Sequence, residues 1–254
     1  MHKEILFSLY KNQQYINQLK DIPQKFEVKH DEESKTTEIT IYGVIGESWF
    51  EESFSANDID RALKDAGDND VTIRLNSPGG DAFDGISIYN RLKQHERKVT
   101  VYVDGWACSA ASIIAMAGDE IIMGLGSMMM IHEASTMAWG SKSNMRKISG
   151  MLEKLDNGAL DIYESKANIS REEIKEKQEA ETWLTAKEAV ELGFADKVVE
   201  NQKSEKDEKV ENRVVHLRTK EEWEEVMNQI EQVVGSDETE TKEPVARRRR
   251  GFFF

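Results

Sequence analysis

Between residues 37 and 118 the chain alternates short β-branched segments with helical patterns. This alternation restricts the fold more than any other feature. "TEITIYGVIG" (37–46) alternates apolar and polar residues and is predicted to be a strand. "SANDIDRALKDA" opens on a good N-cap, Ser55, and sets Ile59, Leu63 and Ala66 at helical spacing. "VTIRL" (71–75) is a second strand, closed by the loop "NSPGGD". "FDGISIYNRLKQH" is a helical stripe through Phe83, Ile86, Tyr89 and Leu92, with Ile88 beside it, and "KVTVYVDG" is a third strand. "SAASIIAMAG" is then a helix, with "DEIIMG" and "SMMMIH" as short strands behind it. The order strand, helix, strand, helix, strand, helix predicts an α/β domain whose strands are mostly parallel. Ligand sites in such sheets gather at the carboxyl ends of strands. Two loops are expected there, "NSPGGD" after Leu75 and "DGWACS" after Val103.

Further on, residues 143–168 form a long helical stretch with Gly158 as a candidate break. Ser170 with Glu173, and Thr185 with Glu188, are capping boxes; Gly193 ends the last helix, and "ADKVVE" is a final strand. Charge divides the chain into a mixed polar arm (1–24), a periodic domain (25–200) and a charged tail (201–254). The 254 residues suit one good-sized domain with appendages or two small domains. A hydrophobic fraction of 39% is enough for a core, whereas a net charge of −14 argues against a nucleic-acid binder. No apolar run reaches the length of a membrane span. The first residues lack the apolar core and cleavage site of a secretory signal. The single cysteine, Cys108, excludes an internal disulfide framework and fits a reducing compartment, so a soluble cytoplasmic protein is expected.

The chemistry centres on "GWACSAASIIAMAG" (105–118). Two readings of Ser109 are open. At a strand-to-helix junction it caps the helix, or it is a nucleophile whose oxyanion is stabilised by the free N–H groups there. The small residues Ala107, Cys108, Ala110 and Ala111 leave room for a substrate backbone, which a capped helix does not require. Ser112, nearly a turn further in, is expected to pack or to bond back to a carbonyl. A nucleophilic serine needs a base. Of the five histidines, His2 and His216 fall in appendages, His30 borders a turn and His95 ends a charged helix. His132 closes an apolar strand, either as a structural residue or as a base returned to the same sheet edge. "SPGG" (77–80) offers backbone that a ligand can approach closely, or a turn and nothing more.

Taken together, "NSPGGDAFDGISIYNRL", "GWACSAASIIAMAGD", "MMMIHEA" and "TWLTAKEAVELGFADKVVE" resemble, in order and spacing, the motifs of the ClpP-type serine peptidases over residues 26–200. The resemblance implies the ClpP/crotonase-like α/β fold and peptide hydrolysis through an acyl-enzyme. It makes Ser109 the nucleophile, His132 the general base, and the backbone N–H groups of Gly80 and Ala110 the oxyanion hole. It requires no metal and no organic cofactor. The family's Arg-Asp pair before the closing aromatic is replaced by Ala180 and Glu181, which makes Glu181 the orienting acid. The missing arginine and the glycine-poor segment "EASTMAWGSKSNMRK" depart from the double-ring housekeeping members, although a homo-oligomeric ring is still implied. Within the family the chain resembles the ClpP-related head maturation (prohead) proteases of tailed bacteriophages. These cleave scaffold or capsid protein inside a closed shell without an ATPase. That resemblance implies scaffold and capsid proteins as substrates and a site of action in the bacterial cytoplasm or the assembling prohead. In the tail, Leu217, Trp223, Val226, Ile230 and Val233 suit a short amphipathic helix, or a solvated one with no partner. "RRRRGFFF" joins Arg247–Arg250, able to bind nucleic acid or an acidic protein patch, to Phe252–Phe254. It is read as a targeting or self-cleavage element. The competing functions are an inactive ClpP-fold scaffold, a crotonase-type acyl-CoA enzyme and a Ser-Lys signal peptide peptidase.

Overall fold

The computed structural model describes residues 3–11, 13–46 and 54–199. Readings of the tail and of its basic-aromatic end lie outside the described residues. Contacts group Met1–Gln202 into one compact unit. In chain order its elements are α1 (Lys3–Ser8), a 3-10 turn (Gln13–Tyr15), α2 (Ile16–Lys20), β1 (Lys25–Asp31), β2 (Thr36–Tyr42), α3 (Ala56–Ala66), β3 (Asp70–Ser77), α4 (Ala82–Lys93), β4 (Val99–Cys108) and α5 (Ala110–Ala115). Then follow β5 (Glu120–Met123), β6 (Met128–Ile131), α6 (Lys142–Glu164), α7 (Arg171–Ala180), β7 (Thr182–Thr185), α8 (Ala186–Glu191) and β8 (Lys197–Val198).

The strands form one sheet in the order β1-β2-β3-β4-β5-β8, with β6 branching from β4 and β7 pairing with β6. Only the β1/β2 and β6/β7 pairs among these are antiparallel. The fold is the mostly parallel α/β architecture that the strand–helix alternation predicts. The parallel strands are apolar because helices cover them: Ile39, Ile41, Val71, Ile73, Leu75, Val99, Val101 and Val103 are all buried. From α3, Ile59, Ala62, Leu63 and Ala66 point inward at helical spacing, behind the Ser55–Asp58 capping box. The expected boxes at Ser170–Glu173 and Thr185–Glu188 are also formed.

Several elements differ from expectation. The segment read as a loop after Val103 is strand as far as Cys108, because β4 changes partner along its length. Residues 100–103 pair with β5, and residues 106–108 pair with β6. The 23-residue α6 runs unbroken through Gly158, held by the burial of Ala159, Leu160, Ile162 and Tyr163 just beyond it. Tertiary packing here outweighs the cost of about 1 kcal/mol for a helical glycine. The polar-looking arm is helical. Leu6, Phe7, Tyr10, Ile16, Leu19 and Ile22 are buried and form a small second core with Val44, Cys108 and Met130.

Candidate active site

Sheet register brings the predicted residues together. Cys108 pairs with Met130 in parallel, and the Ser109 N–H donates to the Met130 carbonyl at 2.8 Å. The next residues of the two strands, Ser109 and His132, therefore leave the same sheet edge. Ser109 Oγ and His132 Nε2 lie 2.7 Å apart, within hydrogen-bond reach. The antiparallel β6/β7 ladder pairs Ile131 with Thr182. One step further along this register sets His132 opposite Glu181. The spacings of 23 and 49 residues thus close into one cluster through two strand pairings, both made by the four-residue β6.

Ser109 occupies the N-cap position of α5, yet its side chain makes no capping bond there. Of the two sequence readings, the structure shows the hydroxyl turned to the imidazole. The backbone is forced accordingly. Ser109 and Glu181 both have φ of 55°, and with Lys35 they are the non-glycine residues of positive φ among those described. Strain at such positions persists only where surrounding structure imposes it, and it concentrates at functional sites. Ser112 bonds backward as expected, to the Ser109 carbonyl at 2.6 Å, and also meets the Tyr163 hydroxyl at 2.7 Å. These two contacts pin the first turn of α5 from below.

The "SPGG" loop lies against the serine. A Cβ on Gly79 would come within 2.6 Å of the Cys108 carbonyl, 2.8 Å of Ser109 Cβ and 3.2 Å of the Ala110 nitrogen. A Cβ on Gly80 would lie 2.0 Å from the Ile45 carbonyl oxygen. Only glycine permits this approach. Gly80 bridges Ile45 in parallel through its neighbours: Ile45 N–H donates to Gly79 O and Asp81 N–H to Ile45 O, each at 2.9 Å. The Gly80 N–H is left on the opposite side of the bridge. Ala110, first residue of α5, carries an N–H with no intrahelical acceptor. A cavity of about 150 Å³ opens beside these groups, lined by Gly80, Phe83, Ser109, His132, Met151 and Leu155 among others.

Burial pushes the His132 imidazole down from 6.5 to about 4; the Glu181 carboxylate opposes this and Lys11 adds to it. The ring is therefore neutral at physiological pH, the form a general base requires. Glu181 is buried at the C-terminal end of α7. Its Oε1 accepts from the Trp183 indole at 3.2 Å, and its Oε2 from the backbone N–H of Lys11. Cys108 is fully buried, and its thiol is pushed far up by burial and by the nearby Glu181 charge, so it acts as a small packing residue. Of the other described histidines, His30 bonds Thr37 and His95 bonds the Asn69 carbonyl. No group of three metal-ligating side chains occurs among the described residues.

Sequence reasoning missed Tyr10, Lys11 and Trp183. The Tyr10 ring stands edge-on to His132 at 5.4 Å between centroids and edge-on to Trp183 at 6.3 Å. Its hydroxyl donates to the Pro78 carbonyl. The three apolar residues Leu6, Phe7 and Tyr10, at helical spacing, were the available signal.

The family model for Clp protease matches residues 55–202, more than half of the chain. The chain belongs to the Clp protease family. The ATP-dependent Clp protease proteolytic subunit of Deinococcus radiodurans is 27% identical over 135 residues, covering 52% of this chain and 66% of that protein. Subunit 1 of the Protochlamydia amoebophila enzyme is 30% identical over 129 residues, covering 49% and 63%. The matched segment thus spans just under two thirds of these Clp protease relatives. A ClpP1 mutant from Listeria monocytogenes superposes with a TM-score of 0.57 at 22% identity, over 67% of this chain and 94% of that one, a likeness of fold.

Proposed function

We propose that this chain is a serine endopeptidase of the Clp protease family. The observation that carries the reading is the 2.7 Å contact between Ser109 Oγ and a neutral His132 Nε2 at the N-terminal end of a helix. In this reading His132 takes the Ser109 proton as the hydroxyl attacks a peptide carbonyl. The oxyanion is held by the Gly80 and Ala110 N–H groups, and His132 returns the proton to the leaving amine. Water then hydrolyses the acyl-enzyme by the same proton path. The charge of Glu181 beside the imidazole favours the imidazolium formed in each step. The chain works as a subunit of a homo-oligomeric ring, as the "proteolytic subunit" naming of its relatives suggests.

The finer reading is processing of scaffold or capsid protein during phage head maturation, in a bacterial cytoplasm or prohead. Its support is Ala180 and Glu181 in place of Arg-Asp, and the glycine-poor segment after His132. A fluorophosphonate probe is expected to label Ser109, and His132→Ala to abolish labelling. The same protein is expected to cut a scaffold or capsid protein without ATP. Absence of labelling in every assembly state refutes the peptidase. Cleavage that needs an ATPase partner refutes the phage-head setting alone.

A further inference from the structure

The arm donates hydrogen bonds to two parts of the candidate catalytic cluster. The first is Glu181. It is 6% exposed, and a buried carboxylate needs donors. The Trp183 indole donates to Oε1, and the backbone N–H of Lys11 donates to Oε2. A glutamate carries one more side-chain torsion than the aspartate of the family's pattern, so its carboxylate has more ways to turn from the imidazole. Donors on both oxygens, one from β7 and one from the arm, fix its plane. Lys11 is itself tied down, its ammonium donating to the Glu179 carbonyl at 2.5 Å.

The second part is the 77–80 loop. Gly79 and Gly80 both have positive φ, and without Cβ atoms the peptide units around them are free to rotate. The Pro78–Gly79 peptide is held at both ends. The Tyr10 hydroxyl donates to the Pro78 carbonyl, and the Gly79 N–H donates to Ser77 Oγ at 3.0 Å. Tyr10 and Pro78 are buried, so the phenol and not bulk water satisfies that carbonyl. The following peptide is held at its carbonyl, which accepts from the Ile45 N–H at 2.9 Å. Its other end is the Gly80 N–H, an oxyanion donor in the reading above. Such donors act by being fixed before the reaction begins.

The Tyr10 ring also packs edge-on against His132, with centroids 5.4 Å apart. Two consecutive residues of the arm thus meet the base, the acid and the loop behind the oxyanion donor. They are anchored on both sides along the chain. Leu6 and Phe7 before them, and Ile16, Leu19 and Ile22 after them, are buried with Val44, Cys108 and Met130.

We propose that Tyr10 and Lys11 are positioning residues of this site: the Tyr10 hydroxyl fixes the loop that presents the Gly80 N–H, and the Lys11 main-chain N–H fixes the Glu181 carboxylate. This rests on the peptidase reading above. The test uses the full chain and a fluorophosphonate probe, and separates the labelling rate at saturating probe from the concentration giving half that rate. Tyr10→Phe keeps the ring and deletes the hydroxyl. It is expected to lower the saturating rate about tenfold, the scale of one hydrogen bond, with the half-saturating concentration near the parent value. A tyrosine that only stabilised the fold would move the urea midpoint and not the saturating rate of the folded protein. Lys11→Pro deletes the main-chain N–H. It is expected to slow labelling on its own and to slow it no further in a Glu181→Ala background, because a residue acting through Glu181 loses its effect once that carboxylate is gone. An unchanged or faster saturating rate in Tyr10→Phe overturns the role of Tyr10. No slowing by Lys11→Pro, or equal slowing in the Glu181→Ala background, overturns the role of Lys11. Both results leave the peptidase reading standing, whereas no labelling of the parent in any assembly state overturns that reading and this one together.

Discussion

At the scale of single residues, the site depends on how the fold treats one imidazole. His132 is held neutral by burial, with a pKa of about 4 against an ordinary 6.5. Between these values the unfolded chain binds more protons at this position than the folded one. The stability contributed here is present above pH 6.5 and is lost as pH falls toward 4, by about 3 kcal/mol in all. Urea unfolding at pH 7 and pH 4 should show the parent losing that much more stability than His132→Gln. Glu181 pulls the other way by favouring the charged ring. Its position was legible as the acid next to the closing aromatic, but its left-handed backbone and its contact with Lys11 were not. Those follow from how α7 ends and from a partner 170 residues away.

At the scale of elements, strand pairing and two glycines position the nucleophile. Ser109 follows β4 at the point where β6 replaces β5 as its neighbour, and the 77–80 loop is clamped onto that point through Ile45. Gly80→Ala would place a methyl 2.0 Å from the Ile45 carbonyl oxygen at a φ of +153°. The variant is expected to lose about 2–3 kcal/mol of stability and most of its probe labelling. Urea midpoints and labelling rates measured side by side check this, and a parent-like variant in both respects would show that the loop does not set the site. The helices α3, α7 and α8 were readable from caps and periodicity, because those signals are local. The strand β7 was not. "TWLT" is too short to show a period, and its pairing with β6 supplies the evidence that periodicity lacks.

At the scale of the whole molecule, the notable surface is apolar. Leu125, Met137 and Trp139 are exposed, Trp139 by 86%. Met137 and Trp139 lie in the segment between β6 and α6 that contains few glycines. Ring assembly would cover such side chains. Trp139→Glu is therefore expected to shift the mass measured by light scattering toward smaller species, while the unfolding midpoint stays near the parent value. A parent-sized assembly would place the interface elsewhere. No helix among the described residues is long and apolar enough to cross a membrane.

The amino-acid order alone established the α/β class, the run of strands and helices from β2 to α5, and Ser109 and His132 as the residues to watch. Periodicity, caps and short motifs are properties of neighbours along the chain. The 2.7 Å approach of Oγ to Nε2, the place of Glu181 beside the ring and the entry of Tyr10 into the cluster are of another kind. They depend on which strands pair and on where an arm with six buried apolar side chains finds its cover. These are contacts between segments 23 to 170 residues apart, and no local pattern encodes them.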